Sequence, residues 1–204
     1  MLVATESRPL GALLVTDVPR EGAKAAVQEW RELGIKSIQM LSGDQPSVVE
    51  QVASQVGIDD AIGGLLPAEK FESLREMRSN GTKVIMIGDG VNDSPALATA
   101  DVGIAIENNV SDLALQSADV VLLTPRLSKV SDLIRLSRRT HQILWQNIAF
   151  AIGVKLFVLV LAAMGLATMW MAIVADVGAS LLVIFNGMRV LTIRAGSSSR
   201  NRIV

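Results

Sequence analysis

Lys83-Val-Ile-Met-Ile-Gly-Asp-Gly-Val-Asn-Asp-Ser-Pro95 changes character halfway along its length. Lys83–Ile87 is apolar and rich in β-branched residues, the pattern of a buried strand, and it breaks into an acidic loop punctuated by glycine. A helix is expected from Asp93 to about Ala100. Carboxylates placed directly after a buried strand are poor packing material, so the loop reads as a place for chemistry. Asp89 and Asp93 stand four residues apart. That suits Mg²⁺, which takes one or two carboxylates together with waters and phosphate oxygens. Asn92, between them, can hydrogen-bond a phosphate.

The same alternation extends to both sides. Leu10–Thr16 reads as a buried strand, and Arg20–Leu33 as a helix with Ala23, Val27 and Trp30 on one stripe. Ser37–Leu41 is strand-like, and Pro46–Val56 opens with proline in a helical first turn. Pro67–Ser79 is helical, and Val102–Ala105 and Val120–Leu123 supply short strands. Strand–helix repeats of this length predict a parallel sheet covered by helices, with ligands at the carboxyl ends of the strands. Two further loops fall at such ends: Ser42-Gly43-Asp44 and Pro67-Ala-Glu-Lys70. A serine hydroxyl backed by glycine can donate to a phosphoryl oxygen, and a lysine brings a compact positive charge to the same group.

Composition divides the chain into two materials. The whole has 204 residues, 19 basic and 20 acidic, one His, no Cys and 50% hydrophobic residues. The near-zero net charge argues against a nucleic-acid partner. The absence of cysteine excludes disulfides, thiolate zinc sites and a Cys nucleophile from these residues. Hydrophobicity this high excludes a disordered chain. Residues 1–141 hold 14 basic and 19 acidic side chains, whereas residues 142–204 hold five and one.

In the second part, Lys155 is the only charge between Ile143 and Leu166. Asp176 is the internal charge of a second run, Trp170 to Leu191, which reaches Arg189 near its end. A bilayer core needs roughly 20 apolar helical residues. Two spans, about 143–166 and 170–191, with a connection at Gly165–Met169, therefore predict a membrane hairpin. Arg138 and Arg139 precede it, and Arg189, Arg194, Arg200 and Arg202 mark its end. Cationic flanks favour the cytoplasm, so both termini are expected there, with the loop outside, in a multi-pass protein of the cell membrane. Met1–Thr16 lacks the basic leader and apolar block of a cleavable signal. Ionisable groups at bilayer depth pair, line a pathway or face a bundle interior. Lys155 and Asp176 thus read either as a structural ion pair or as a cation-binding carboxylate with its counter-charge. Gly178 allows another helix to approach in both cases.

Gly88-Asp-Gly-Val-Asn-Asp-Ser-Pro-Ala-Leu97, followed by Ala100-Asp-Val-Gly-Ile-Ala105, closely resembles the hinge segment of P-type ATPases. Ser42-Gly43-Asp44 is similar to that family's Thr-Gly-Asp, with the hydroxyl retained, and Asp17-Val-Pro-Arg20 resembles its Asp-Pro-x-Arg imperfectly. Pro67–Lys70 resembles the segment that carries the catalytic lysine of haloacid-dehalogenase-like folds. Asn147, Lys155, Asp176, Gly178 and Asn186 match the metal-exporting subgroup, and Lys with Asp-x-Gly points to its Zn²⁺/Cd²⁺/Pb²⁺ branch.

The resemblance implies an ATP-driven exporter working through an aspartyl phosphate with Mg²⁺. Residues 1–141 would be the carboxyl-terminal part of the phosphorylation domain, an incomplete haloacid-dehalogenase-like sheet. Residues 142–191 would be the membrane hairpin and 192–204 a cytoplasmic tail. Asp89 and Asp93 would hold Mg²⁺. Ser42, Gly43, Asp44, Lys70 and Asn92 would serve the phosphoryl group. Asp176 would bind the transported ion, with Lys155 as counter-charge.

The family's phosphorylated Asp-Lys-Thr-Gly-Thr is absent from the 204 residues, as are its Thr-Gly-Glu, His-Pro and Cys-Pro-Cys segments. The expectation is a carboxyl-terminal fragment, inactive by itself, whose partner is the amino-terminal portion of a pump. The alternatives are a truncated, catalytically inactive membrane protein or half of a split pump. A third reading, a membrane-anchored phosphatase using Asp17 as nucleophile, lacks the second carboxylate of Asp-x-Asp, because Pro19 stands there.

Overall fold

A computed structural model describes residues 2–5, 8–12, 18–89, 92–106 and 111–191. The chain divides into two compact units after Lys129. The first unit opens with an antiparallel hairpin, β1 (Leu2–Thr5) and β2 (Arg8–Ala12). The strand expected over Leu10–Thr16 overlaps β2 at residues 10–12, and residues 13–17, Asp17 included, lie outside the described residues. Then come α1 (Ala23–Glu32), β3 (Gln39–Leu41), α2 (Pro46–Val56), β4 (Asp60–Ile62) and α3 (Pro67–Ser79). They are followed by β5 (Ile85–Gly88), α4 (Ser94–Thr99), β6 (Val102–Ile106), α5 (Asp112–Ser117) and β7 (Val120–Leu122).

The α/β strands pair in parallel, as the alternation predicts, but in two groups: β3 with β4, and β5–β6–β7. Helix α1 buries Ala23, Ala26, Val27 and Trp30, the expected stripe with one addition. Helices α2 and α3 begin at the prolines that the sequence marks, where the missing N–H is no loss. The Glu69 carboxylate accepts the Leu66 N–H at 2.7 Å and so satisfies one of the free amides that open α3. Leu97, Ala105 and Ala114 are wholly buried, with Met86, Ala118 and Val121 packed against them. This core clamps α4 and α5 on the three-stranded sheet and so positions the β5–α4 loop.

At the opposite, amino end of β5 the Asp101 carboxylate accepts the Val84 N–H at 3.0 Å and the Lys83 ammonium at 2.9 Å. Arg78 adds a further cation at 3.5 Å. The Val84 amide first, and then Lys83, hold the Asp101 carboxyl below its ordinary value of 3.8.

The second unit is a helical hairpin. Helix α6 (Ser128–Ala163) runs unbroken for 36 residues, and α7 (Met169–Met188) for 20. The change of material read at 141/142 therefore falls inside one continuous helix, because apolar and polar halves are equally compatible with helical hydrogen bonding. From Ile143 to the end of α6 the helix is about 31 Å long, and α7 about 30 Å, enough for a bilayer core. Both are long and apolar enough to cross a membrane. Thr168 Oγ1 accepts the Met171 N–H at 3.3 Å and starts α7. Residues 192–204, read as a tail, lie outside the described residues.

Because Asp101 has a depressed pKa, its contribution to stability is complete above the ordinary carboxylate range and is lost as pH falls through the depressed value. Asp101→Ala should melt below wild type at pH 7, with the gap narrowing only under strongly acid conditions. Thermal melts of both proteins from pH 7 to pH 2 check this; a gap that narrows between pH 7 and pH 5 contradicts it.

Candidate functional site

Parallel register brings the carboxyl ends of β3 and β4 together, with Leu41 opposite Ile62. The chain leaving each strand is then stitched to the other. Ser42 N donates to Ile62 O at 3.0 Å, Leu65 N to Ser42 O at 3.0 Å, and Gly64 N to Asp44 O at 2.6 Å. This fit depends on the Gly63-Gly64 pair. A Cβ on Gly63 would lie 2.6 Å from Pro46 Cα and 2.9 Å from Asp44 O, and Gly64 has φ +74°, a left-handed conformation that favours glycine. The sequence reading passed over this pair, although a glycine doublet before Leu-Leu-Pro is a turn signal.

Within the stitched loop Ser42 Oγ donates to Asp44 Oδ2 at 2.8 Å and accepts the Asp44 N–H at 3.2 Å. The Ser42 hydroxyl is therefore held and aimed, with its proton on the Asp44 carboxylate. Leu65 connects the loop directly to the start of α3, which carries Lys70 one turn further on.

Lys70 Nζ reaches across 23 positions of sequence to Asp93 Oδ1 at 2.8 Å, and each side chain is only 16% exposed. Asp93 packs directly on the end of β5: a Cβ on Gly88 would stand 2.8 Å from both Asp93 Cβ and Asp93 Oδ2. On the same loop Asp89 Oδ1 accepts the Asn92 N–H at 3.0 Å, and its Oδ2 accepts the Asn92 side-chain amide at 3.2 Å. Asp89 remains exposed.

The donors fit Mg²⁺ in kind and number. Asp89 and Asp93 are two hard carboxylates on one loop, and Mg²⁺ keeps its remaining positions for waters and substrate phosphates. No cluster of three or more His, Cys, Asp or Glu side chains occurs among the described residues, so an all-protein metal cage is not what these residues build. The neighbouring Lys70 adds the fixed positive charge that a phosphoryl site needs. A surface hollow of about 340 Å³, lined by Arg75, Arg78, Lys83 and Asp101, belongs to the opposite end of β5.

In the helical unit Lys155 Nζ lies 3.9 Å from Asp176 Oδ1, with the two side chains 74% and 67% exposed. Ser180 Oγ donates to the Asp176 carbonyl at 2.9 Å, leaving the carboxylate outside that bond.

The profile of the hydrolase family described as haloacid dehalogenase-like matches residues 2–101. The chain is 43% identical over 195 residues to the cadmium, zinc and cobalt-transporting ATPase of Bacillus subtilis (strain 168), covering 94% of this chain and 28% of that protein. It is 41% identical to the zinc-transporting ATPase of Synechocystis sp. (strain ATCC 27184 / PCC 6803 / Kazusa), over 92% of this chain and 26% of that one. A crystal structure of a zinc-transporting PIB-type ATPase in the E2.Pi state superposes with a TM-score of 0.83 at 35% identity, over 93% of this chain and 31% of that chain. Over more than nine tenths of its length this chain is similar to metal-transporting ATPases. It spans little more than a quarter of the curated relatives' length. The haloacid-dehalogenase-like unit followed by two long apolar helices is the fold that the resemblance implied.

Replacing Gly88 by alanine must push the Asp93 carboxylate off the end of β5 and away from Lys70. The Lys70 amine of Gly88→Ala should then acylate several-fold faster than that of wild type, read by mass spectrometry of the peptide that carries it. Equal labelling rates would mean that Asp93 does not depend on the space above Gly88.

Proposed function

We propose that this chain is the carboxyl-terminal part of an ATP-driven pump that exports Zn²⁺, Cd²⁺ or Pb²⁺ through an aspartyl phosphate formed on an upstream segment. On this reading the first unit completes the phosphorylation domain. The two apolar helices form a membrane hairpin with both ends cytoplasmic, in a multi-pass protein of the cell membrane. The amino-terminal portion supplies the nucleophile, the nucleotide contacts and the remaining membrane helices.

The observation that carries the proposal is the convergence of Lys70 and Asp93 at 2.8 Å beside the Asp89–Asn92 loop. Phosphoryl transfer rests mainly on positioning and on neutralising charge. In the resting geometry Lys70 is compensated by Asp93. An entering phosphoryl group takes over the ammonium as its partner, and a Lys70 N–H then donates to phosphoryl oxygen. Asp93, released from Lys70, and the exposed Asp89 would hold Mg²⁺. Bound there, the ion supplies counter-charge to the phosphoryl oxygens. Asn92 fixes the Asp89 carboxylate through both its backbone and its side-chain N–H. Ser42 Oγ, on the loop stitched to α3, donates to a phosphoryl oxygen by turning its proton from Asp44, while Gly43, where a Cβ would lie 3.2 Å from Leu65 O, keeps that loop close against the chain leading into α3.

In the hairpin, Asp176 is proposed as the carboxylate that receives the transported ion. The contact with Lys155 is at the outer limit of an ion pair, so an arriving divalent cation displaces the ammonium at small cost. With the ion gone, Lys155 returns as counter-charge. A single oxygen ligand selects poorly among divalent metals, so the softer ligands must come from upstream helices.

In the full-length pump, Asp89→Asn should abolish acid-stable phosphoenzyme formed from labelled ATP and Mg²⁺. Asp93→Asn should lower its rate by on the order of a hundredfold, the scale seen when one charge-stabilising group is removed. Unchanged Mg²⁺ dependence in both variants would remove this loop from the ion's site. Asp176→Ala should insert normally and lose Zn²⁺ and Cd²⁺ transport. Retention of transport in proteoliposomes would refute the cargo assignment.

A further inference from the structure

The Lys155–Asp176 contact is too long and too exposed to hold its own helices in register, and the helices give it little apolar help. Helix α7 buries none of its residues, and α6 buries only Ile143 within its apolar half. The direct polar bridges between the two helices gather at one other level. Asn186 Nδ2 donates to Asn147 Oδ1 at 2.8 Å, and Asn147 Nδ2 donates to the Val183 carbonyl at 3.4 Å. Arg189 Nη1 donates to Asn186 Oδ1 at 3.1 Å. A Cβ on Gly187 would lie 4.0 Å from Asn147 Nδ2, an ordinary contact, so a methyl group is tolerated beside this bridge. Both asparagines are half-buried.

The relay runs in one direction. The Arg189 cation polarises the Asn186 amide, which makes its N–H a better donor to Asn147. The Asn147 amide in turn finds an acceptor in a helix carbonyl of α7. In hydrocarbon an amide without a partner is costly, so a slip of one helix past the other would strand both side chains. Lys155 lies eight residues beyond Asn147 on α6, and Asp176 ten residues before Asn186 on α7. Those separations are about 12 Å and 15 Å of helix, so the two pairs lie at matching depths of one antiparallel register.

We propose that Asn147 and Asn186, with Arg189 behind them, are positioning residues that lock the register of α6 against α7 and so keep Lys155 opposite Asp176. The proposal rests on the reading of Lys155 and Asp176 as the cargo site. The amides do not touch the transported ion. They set the distance between the carboxylate and its counter-charge.

The test uses the full-length pump in membranes and reads the Zn²⁺ concentration for half-maximal ATP hydrolysis, alongside the amount of inserted protein. Asn147→Leu alone leaves Asn186 without its acceptor and risks misfolding. The decisive variant is therefore the Asn147→Leu/Asn186→Leu double, which removes both amides at similar volume. It should insert and show half-saturation raised at least tenfold. Asn147→Gln keeps both the oxygen that accepts from Asn186 and an N–H for the Val183 carbonyl, and should stay within about threefold of wild type. Gly187→Ala should be unaltered. If the double variant inserts poorly but the inserted fraction keeps wild-type half-saturation, the amides serve stability alone and the proposal falls. It falls equally if no lock variant inserts, or if Asn147→Gln is as impaired as the double. Asp176→Ala is measured in parallel: unchanged half-saturation there overturns the cargo-site reading and the lock's role with it. A shift in Asp176→Ala without one in the double overturns the lock alone.

Discussion

The Asp93 carboxyl group occupies the volume that a side chain on Gly88 would need, and the arrangement of the soluble unit follows from that one close approach. With only hydrogen at residue 88, the β5–α4 loop folds back over the end of its own strand and points a carboxylate toward α3. Lys70 meets it there at 2.8 Å, from a helix that begins at a proline and is tied to the Ser42 loop through Leu65. Segments separated by 23 residues, with their own loops attached, are thereby joined at the carboxyl ends of the parallel strands. Parallel sheets concentrate polar chemistry at that edge because the strands themselves are buried and the loops are free to vary.

The ion pair also describes a poised state. Each partner is mostly shielded from water, so each charge needs the other or a replacement. On the proposed reading a phosphoryl oxygen would replace the carboxylate for Lys70, and a divalent cation would replace the ammonium for Asp93. A site that exchanges partners in this way stays satisfied before and after the substrate arrives. The membrane hairpin holds a weaker version of the same device, with Lys155 and Asp176 at 3.9 Å and largely exposed. If that pair exchanges partners as proposed, so weak a contact would not position itself, and the geometry would be held from elsewhere on the two helices.

Much of the architecture was legible in the order of residues. The ranges read for α2 and α3 coincide with the observed helices, because proline marks each start and the stop signals lie just outside. Strands β5, β6 and β7 appear within one or two residues of the runs that predicted them. Other elements left no such trace. Strand β4 is Asp60-Ala-Ile62, too short and too polar to stand out, and exists because β3 offers it hydrogen bonds. Helix α5 is six residues long and was missed, although Ser111 Oγ caps it by accepting from Ala114 N at 3.1 Å. The apolar span expected from residue 143 lies within α6, whose polar amino-terminal turns, from Ser128, hydropathy does not report because it reads the solvent around a helix and not its hydrogen bonding.

By itself the sequence determined which residue types stand after which strands, that two apolar runs are long enough for a bilayer, and that one carboxylate and one ammonium lie within them. Those are local properties, set by period, composition and turn chemistry. The tertiary structure decided which charges meet: Lys70 with Asp93, Asp89 with Asn92, Asn147 with Asn186. It also decided that Gly63, Gly64 and Gly88 are where backbone and carboxylate approach too closely for a side chain. Such encounters depend on distances between segments far apart in the chain, and only packing and register can set those distances.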